Sequence, residues 1–321
     1  MATRTSVLVT RRLPDTVERE LRERFDVTLT PADVAPGREA LRRALTHYDG
    51  VLCTVTDRID ADVLAAEPLR TRIIANFGVG FEHIDVAAAA RRGIVVTNTP
   101  GVLTDDTADL AMTLLLMAAR RAGEGERLVR AGEWSGWAPT HHLGTRVTGK
   151  TLGIVGFGRI GRAVAQRARD GFGMRVLVTT RRSPDPDDAS RLEVRPLRDL
   201  LASADFVSLH VPSTPETRHM IDGEALRAMQ PHAVLINTAR GDIVDEAALA
   251  NALRARRIAA AGLDVYEHEP QVHPALLELD NVVLLPHLGS ATVEAREAMG
   301  RRALANLKAF FAGEAAPDRV A

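Results

Sequence analysis

A glycine-rich turn between a predicted strand and a predicted helix constrains this chain more than any other feature. Thr151-Leu-Gly-Ile-Val155 is apolar and β-prone, as expected of a strand buried on both faces of a parallel sheet. Gly156-Phe-Gly-Arg-Ile-Gly161 then has the spacing G-x-G-x-x-G and leads into a helical pattern. Gly156 permits the tight turn, Gly158 a close approach to a pyrophosphate, and Gly161 close packing of helix on strand. This context predicts a dinucleotide site, whose phosphates face the N–H groups of the helix N-terminus.

Short apolar runs alternate with helical patterns on both sides of this turn. The predicted strands lie near residues 6–10, 27–30, 50–54, 72–75 and 94–97, and then near 152–155, 175–179, 206–210, 233–237, 260–264 and 282–285. Such alternation indicates parallel sheets covered by helices. We therefore predict an α/β protein with two doubly wound parallel sheets, of the Rossmann or flavodoxin-like type.

Composition limits the class of protein. The 321 residues are 45% hydrophobic and 26% charged, which is typical of a globular protein in water. The net charge of −1 gives no global field that would attract nucleic acid or an anionic membrane. Leu110–Ala119, the longest apolar block, is well short of the ~20 residues of a membrane span. Without a signal-peptide pattern, a cytoplasmic protein is expected.

Residues 123–148 interrupt the alternation of strands and helices. They follow a long apolar helix predicted at 103–121 and contain Trp134, Trp137, His141 and His142. A long irregular stretch is usually a functional segment or an interaction arm, so we expect residues 123–148 to have one of these roles. The single cysteine, Cys53, excludes an internal disulfide, and no His, Asp or Glu cluster has metal-ligand spacing; no metal is expected.

The end of the second strand of the later sheet indicates which dinucleotide is bound. An NAD site carries an Asp or Glu there, about 20 residues beyond the glycines. This strand instead ends at Thr180 and continues with Arg181 and Arg182. Two guanidinium groups suit a 2′-phosphate, so NADP(H) is predicted as preferred and NAD(H) as possible. Alternatively, both arginines are solvated and Asp185 or Asp187 binds the ribose.

Three loops after later strands carry residues suited to catalysis: Arg240, Glu269 and His287. Ligands of a doubly wound sheet bind outside the carboxyl ends of its strands, so the three could converge beside a nicotinamide. Taken singly, each has a simpler interpretation. His287 follows a proline and could be structural, Arg240 could be a surface charge, and Glu269 a solvated acid.

Taken together, these segments resemble the D-2-hydroxyacid dehydrogenases from about Gly50 to Arg302. Besides the glycine turn, the matching segments are Asn76-Phe-Gly-Val-Gly-Phe-Glu-His-Ile-Asp85, Thr97-Asn-Thr-Pro-Gly-Val102 with Thr107-Ala-Asp109, Asn237-Thr-Ala-Arg-Gly241, Gly262-Leu-Asp-Val-Tyr-Glu267 with Glu269-Pro270, and Pro286-His-Leu-Gly-Ser290. Within that family the chain looks most similar to the glyoxylate/hydroxypyruvate reductase branch. The pointers are Asn76–Gly80, Gly136–Thr140, Glu267–Gln271 and the acid-free Thr180–Arg182.

The resemblance implies an active-site cleft between a substrate-binding domain, residues 1–101 plus 289–321, and a dinucleotide-binding domain, residues 102–288. Arg240 would bind the carboxylate of a small 2-oxo acid and polarise its carbonyl group. His287 would be the general acid, and Glu269 would orient its imidazole and raise its pKa. Backbone N–H groups of Val79 and Gly80 would hold the carboxylate, with Val55 among the side chains that select the substrate.

The resemblance also implies further cofactor contacts and a homodimer. Residues 103–143 would form much of the dimer interface, with Trp137 near an active-site mouth. A packed structural role for His210 is an equally good interpretation. The cofactor contacts implied beyond the three glycines and Thr180, Arg181 and Arg182 are Thr107, Arg159, Ile160, His210, Pro212, Thr217, Thr238, Ala239, Asp264, His287 and Gly289.

Other functions fit the same residues. A broader 2-ketoacid reductase, a phosphoglycerate dehydrogenase or a phosphite dehydrogenase could use the same Arg, Glu and His. A binding protein of this fold, which senses a dinucleotide and recruits peptides, could also retain them. Turnover of glyoxylate with NADPH would separate the enzyme from the sensor.

Overall fold

The computed structural model describes residues 4–30, 33–181, 185 and 192–320. The chain divides into two compact units, Met1–Leu103 with Ala291–Ala321, and Thr104–Ser290. The crossovers thus fall at 103/104 and 290/291 rather than at the expected 101/102 and 288/289. The long helix of the second unit begins only at Thr104, and Gly289 is hydrogen-bonded to Asp264 and Thr107 of that unit.

The first unit contains a five-stranded parallel sheet in the order β2-β1-β3-β4-β5. Apolar strands such as β4, which is buried along its whole length, are covered by helices, as parallel sheets require. Asp85 caps one helix by accepting from the Ala88 N–H. The elements are β1 Ser6–Val9, α1 Asp15–Arg24, β2 Asp26–Leu29, α2 Arg38–His47, β3 Gly50–Thr54, α3 Ala61–Leu64, β4 Ile73–Phe77, α4 Val86–Arg91, β5 Val95–Thr97 and the final helix α12 Val293–Phe311.

The second unit contains a seven-stranded parallel sheet in the order β12-β11-β10-β9-β6-β7-β8. The strand order reverses between β6 and β9, where Val155 lies beside Leu209; ligands of doubly wound sheets bind outside such a point. The elements are α5 Thr104–Ala119, α6 Ala122–Arg130, β6 Thr151–Val155, α7 Arg159–Phe172, β7 Arg175–Thr179, β8 Glu193–Val194, α8 Leu197–Ser203, β9 Phe206–Leu209, α9 Gly223–Ala228, β10 Val234–Asn237, α10 Glu246–Arg254, β11 Ala260–Leu263, α11 Pro274–Leu277 and β12 Val282–Leu284, with a 3₁₀ turn at Gly241–Ile243.

Helix α5 anchors the core of the second unit. Leu114 and Leu115 are almost fully buried, and each such side chain contributes roughly 1.5–3 kcal/mol. Gly262 of β11 packs closely against α5, because a Cβ there would lie 3.0 Å from Cβ of Leu114, tighter than an ordinary van der Waals contact. The helix therefore lies directly on the sheet and fixes the strands whose ends carry the candidate site.

Two local expectations were wrong. The six strands predicted for this sheet omit β8, a two-residue edge strand too short to show a periodic pattern. The stretch 123–148, predicted as irregular, begins with the last eight residues of helix α6. Two glycines weaken the helical signal there, while the ion pairs Arg121–Glu124 and Arg130–Glu126 support the helix.

Within the described ranges, no helix is both long and apolar enough to cross a membrane. The same residues contain no group of three or more His, Cys, Asp or Glu side chains that could hold a metal ion.

Candidate active site

The chain itself requires glycine at two positions of the turn after β6. Gly156 has a φ of +96°, and a Cβ there would lie 2.5 Å from the carbonyl oxygen of His210. A Cβ on Gly161 would lie 2.2 Å from the carbonyl oxygen of Gly156. Both distances are far shorter than van der Waals contact, so only glycine lets α7 begin this close to β6.

Gly158 is different, because nothing in the described chain requires a glycine there. Its φ of −85° and ψ of −162° suit other residues, and within the part of the chain that the structure describes no atom lies within 4 Å of a Cβ built at this position. Helix α7 begins at Arg159, which is exposed, and no side chain caps it. Open space in front of uncapped N–H groups fits the pyrophosphate of a dinucleotide. Ile160, beside it, is half-buried.

The end of β7 carries the residues predicted to select the dinucleotide. Thr180 is half-buried and Arg181 is exposed. The Thr214 hydroxyl is the main cause that lowers the pKa of Glu216, and the charge of Arg181 contributes, so Arg181 lies within electrostatic range of the loop after β9. Arg182 and Asp187 lie outside the described residues. Asp185, the other alternative for the ribose, forms an ion pair with Arg162 at 3.1 Å.

His210 directly follows β9, at the point where the strand order reverses. Its N–H donates to the carbonyl of Val155 at 2.7 Å, and its Nε2 lies 2.8 Å from the Ser208 hydroxyl. Burial lowers the pKa of His210 to about 4, so the imidazole is neutral near pH 7. Its backbone packs against Gly156, which gives His210 a structural role in shaping the glycine turn.

The low pKa of His210 makes stability depend on pH. Between its ordinary pKa of 6.5 and the folded value of about 4, the unfolded chain binds more protons, so stability falls as the pH decreases through this window. We expect wild type to lose about 2 kcal/mol more than His210→Gln between about pH 7 and pH 4.5. Urea unfolding of both proteins at the two pH values measures this difference. Equal losses would contradict the assignment of a buried, neutral His210.

The loop after β9 holds two residues expected to contact the cofactor. The Thr217 hydroxyl donates to the carbonyl of Pro212 at 2.6 Å and accepts from the N–H of Thr214 at 2.8 Å. Pro212 is exposed and Thr217 is half-buried. The hydroxyl therefore closes the loop on itself, which fixes its backbone beside the glycine turn.

The loop after β10 positions Arg240 and contains a buried hydroxyl. Asn237 accepts from the N–H of Ala239 at 3.0 Å and donates to the carbonyl of Arg240 at 2.8 Å. Oγ1 of Thr238 is buried and has no hydrogen-bond partner among the described residues. Because buried hydroxyl groups are normally paired, this one fits a polar group of a bound dinucleotide.

Arg240, Glu269 and His287 come together at the carboxyl edge of the seven-stranded sheet. Nδ1 of His287 lies 2.8 Å from Oε2 of Glu269, and 34% and 35% of these side chains are exposed. Burial alone would raise the pKa of Glu269, but His287, the Tyr266 N–H and the charge of Arg240 lower it below its ordinary value. Glu269 is therefore a carboxylate near neutral pH, with both an imidazole and a guanidinium close by.

Asp264 holds the backbone that carries His287. Its two carboxylate oxygens accept from the N–H groups of Leu288 and Gly289 at 2.7 and 2.8 Å, and its carbonyl accepts from the His287 N–H at 2.9 Å. The Thr107 hydroxyl donates to the carbonyl of Gly289 at 2.9 Å. These contacts maintain His287 at a φ of +56°, a conformation that few non-glycine residues adopt.

The expected substrate-binding residues of the first unit lie in a turn after β4. Asn76 donates to the carbonyl of Gly80 at 2.7 Å, and Asn98 donates to the carbonyl of Val79 at 2.8 Å. Val79 and Gly80 are half-buried, whereas Val55, which follows β3, is 38% exposed. The turn is thus held by two asparagines through its carbonyl groups.

Sequence reasoning missed the residues that hold these loops. In the sequence, Asn98 and Tyr266 appear only as parts of segments that match the family. The Tyr266 hydroxyl donates to the carbonyl of Leu285 at 2.8 Å, and its N–H donates to Glu269 at 3.0 Å. The position of Tyr266 between the end of a predicted strand and Glu269 was the sequence signal that could have indicated its role. The contact with Leu285 could not be predicted, because it depends on which strands are neighbours in the fold.

Known proteins resemble the chain over nearly its full length. Residues 112–289 match the family model for the D-isomer specific 2-hydroxyacid dehydrogenase NAD binding domain. A glyoxylate reductase of Thermococcus kodakarensis is 50% identical, covering 99% of this chain and 96% of its own.

Two solved structures have the same fold. A glyoxylate reductase from Paecilomyes thermophila is 34% identical with a TM-score of 0.88, covering 100% of this chain and 99% of its own. An NADPH-dependent glyoxylate/hydroxypyruvate reductase from Sinorhizobium meliloti, in complex with NADP and malonate, is 38% identical with a TM-score of 0.88. The match covers 99% of this chain and 97% of that structure's chain. The chain therefore belongs to the D-isomer specific 2-hydroxyacid dehydrogenases and is an oxidoreductase that uses a nicotinamide dinucleotide.

Proposed function

We propose that this protein reduces a small 2-oxo acid, glyoxylate or hydroxypyruvate, to the D-2-hydroxy acid with NADPH. The observation that carries the proposal is the His287–Glu269 pair, 2.8 Å apart and within the field of Arg240. An acid–base pair beside a fixed cation is what reduction of a carbonyl next to a carboxylate needs. The names of the similar reductases support this choice of substrate.

Each residue has a separate role in the proposed reaction. NADPH, when bound, supplies the hydride that is added to C2 of the oxo acid. The guanidinium of Arg240 binds the substrate carboxylate and polarises the carbonyl. His287 donates the proton from Nε2 to the carbonyl oxygen, while Nδ1 remains with Glu269.

Glu269 is the partner of the proposed general acid, His287. Its lowered pKa keeps it ionised near neutral pH, and its contact with Nδ1 fixes the orientation of the imidazole ring of His287. In the first unit, we assign the N–H groups of Val79 and Gly80 to a carboxylate-binding turn, which Asn76 and Asn98 hold in shape.

The preference for NADP rests on the end of β7. No acid lies at the critical position, Arg181 is exposed there, and the carboxylate of Asp185 already pairs with Arg162. Arg181 and Arg182 are assigned to the 2′-phosphate of the cofactor.

Replacing both arginines tests this preference. Arg181→Ala with Arg182→Ala should raise the KM for NADPH at least about 10-fold, as two charge-assisted contacts are lost, and leave the KM for NADH little changed. Initial rates with each cofactor measure the effect. Arg195→Ala is the matched control, because Arg195 is a nearby arginine paired with Glu193. Equal effects on NADPH and NADH would rule out the assignment.

We also assign residues 103–143 to a homodimer interface. Trp134, Trp137 and Leu143 are 56%, 83% and 65% exposed, and helix α6 has no buried residue. Large apolar side chains grouped on a surface usually mark a protein contact.

Isotope transfer tests the reaction itself. NADPH carrying deuterium at the transferred position is incubated with hydroxypyruvate, and the product is separated on a chiral column. D-Glycerate with deuterium at C2 is expected. L-Glycerate, or a product without the label, would contradict the proposed reaction.

A further inference from the structure

Three loops at the carboxyl edge of the seven-stranded sheet are joined by contacts between ionisable side chains outside the candidate catalytic residues. The loop after β9 supplies Arg218 and His219, the loop after β10 supplies Asp242, and the loop after β11 supplies Glu267. Nη2 of Arg218 and Nε2 of His219 each lie 2.8 Å from Oε1 of Glu267, and Nη1 of Arg218 lies 3.6 Å from Asp242. One guanidinium therefore pairs with carboxylates on two loops.

Hydrogen bonds to the backbone complete the connection. The carbonyl of Asp242 accepts from the His219 N–H at 2.8 Å, and its Oδ2 accepts from the Ser213 hydroxyl at 2.7 Å. Glu246 accepts from the Glu267 N–H at 2.9 Å. Burial raises the pKa of Glu246 and the charge of Glu267 adds to this, so the acids lie close to one another. Among the described residues, Arg218 pairs with two of these three acids, Asp242 and Glu267.

The loops that carry Arg240 and Glu269 are in direct backbone contact. A Cβ on Gly241 would lie 1.8 Å from the carbonyl carbon of Tyr266 and 2.3 Å from the N of Glu267. Glu269 in turn accepts from the Tyr266 N–H. A shift of Glu267 must therefore move the backbone beside Arg240 and the carboxylate that orients His287.

We infer that Arg218 is a positioning residue, which holds Arg240 and Glu269 in register through its ion pairs with Glu267 and Asp242. The inference rests on the proposed function of Arg240, Glu269 and His287. The planar fork of arginine can direct two N–H groups to two carboxylates, whereas a lysine ammonium is a single point charge. About half of the Arg218 side chain is exposed, 52%, so its replacement leaves the core intact.

Substitutions at Arg218 test the inference. Because small misplacements of catalytic groups are costly, Arg218→Ala should lower kcat for the 2-oxo acid about 10-fold and raise its KM, with NADPH binding changed less than about 2-fold. Arg218→Lys should fall between this variant and wild type. Arg254→Ala is the control, since Arg254 is an equally exposed arginine paired with Glu278 in the same unit.

A second substitution should restore part of the activity that Arg218→Ala loses. Without Arg218, the carboxylate of Glu267 keeps the charge that adds to burial in raising the pKa of Glu246. Glu267→Gln removes that charge, and its amide oxygen can still accept from His219. The double variant should therefore be more active than Arg218→Ala alone. A melting temperature close to wild type in each variant separates positioning from loss of the fold.

Amide hydrogen exchange tests the same inference and needs no substrate. Arg218→Ala should speed exchange in residues 238–245 and 262–270, and Arg254→Ala should not. Unchanged exchange and unchanged kcat and KM in Arg218→Ala would overturn the inference. If wild type turns over no 2-oxo acid, the proposed function fails, and the exchange result still decides whether Arg218 holds the loops.

Discussion

Replacing His287 with alanine should lower kcat by at least about 10²-fold, the usual scale of general acid–base catalysis. His287 is the imidazole that pairs with Glu269 at 2.8 Å, and its backbone is fixed by Asp264. Alanine leaves the oxo group without its proton donor, while Arg240 still binds the substrate carboxylate. The KM for the oxo acid should therefore change much less than kcat. Steady-state kinetics at saturating NADPH measures both.

The chain offers a matched control for this variant. His232 pairs with Asp205 at 2.7 Å, also a histidine–carboxylate pair, but Asp205 precedes β9 and so lies at the amino edge of the same sheet. His232→Ala should keep the wild-type kcat. Near-normal kcat in His287→Ala, or an equal loss in both variants, would remove His287 from the mechanism.

Replacing Gly161 with alanine should destabilise the protein by about 3 kcal/mol or more, because the added Cβ would lie 2.2 Å from the Gly156 carbonyl oxygen. Alanine normally gains about 1 kcal/mol over glycine within a helix, which is too little to compensate for contact with a backbone atom. Either helix α7 or the turn must move, and dinucleotide binding should be lost. Thermal unfolding and NADPH titration by fluorescence measure the two effects.

Gly158→Ala should leave the stability of the protein nearly unchanged and weaken dinucleotide binding. No atom of the described residues lies within 4 Å of the added Cβ, so the free energy of unfolding should change by less than about 0.5 kcal/mol. The dinucleotide Kd should rise at least about 10-fold, since the methyl group occupies space assigned to the pyrophosphate. Tight binding by Gly158→Ala would show that the pyrophosphate does not approach this residue.

The sequence predicted the features that are local in the chain. The strand–glycine–helix pattern at 151–161 is one of them, since its turn needs a positive φ at Gly156 and close packing at Gly161. The two parallel sheets follow from the alternation of short apolar runs and helical patterns, which is confirmed. Helix α6 was missed because its glycines conceal a helix supported by ion pairs.

Contacts between distant residues could not be predicted in this way. Spacing alone cannot show that the carboxylate of Asp264 accepts from the N–H groups of Leu288 and Gly289, or that the Tyr266 hydroxyl donates to the carbonyl of Leu285. Such contacts depend on which strands are neighbours, and β11 and β12 are adjacent only in the folded sheet. The guanidinium of Arg218, which pairs with carboxylates on two different loops, is a further example.

Initial rates with a panel of substrates test the central claim most directly. NADPH and NADH are each paired with glyoxylate, hydroxypyruvate, pyruvate and 2-oxobutyrate, and phosphite is offered with each oxidised cofactor, while the nicotinamide absorbance is followed. The fastest turnover should be that of glyoxylate or hydroxypyruvate with NADPH. No turnover of any 2-oxo acid, with the dinucleotide still bound, would contradict the proposed function, and a response to phosphite would identify the oxidation that replaces it.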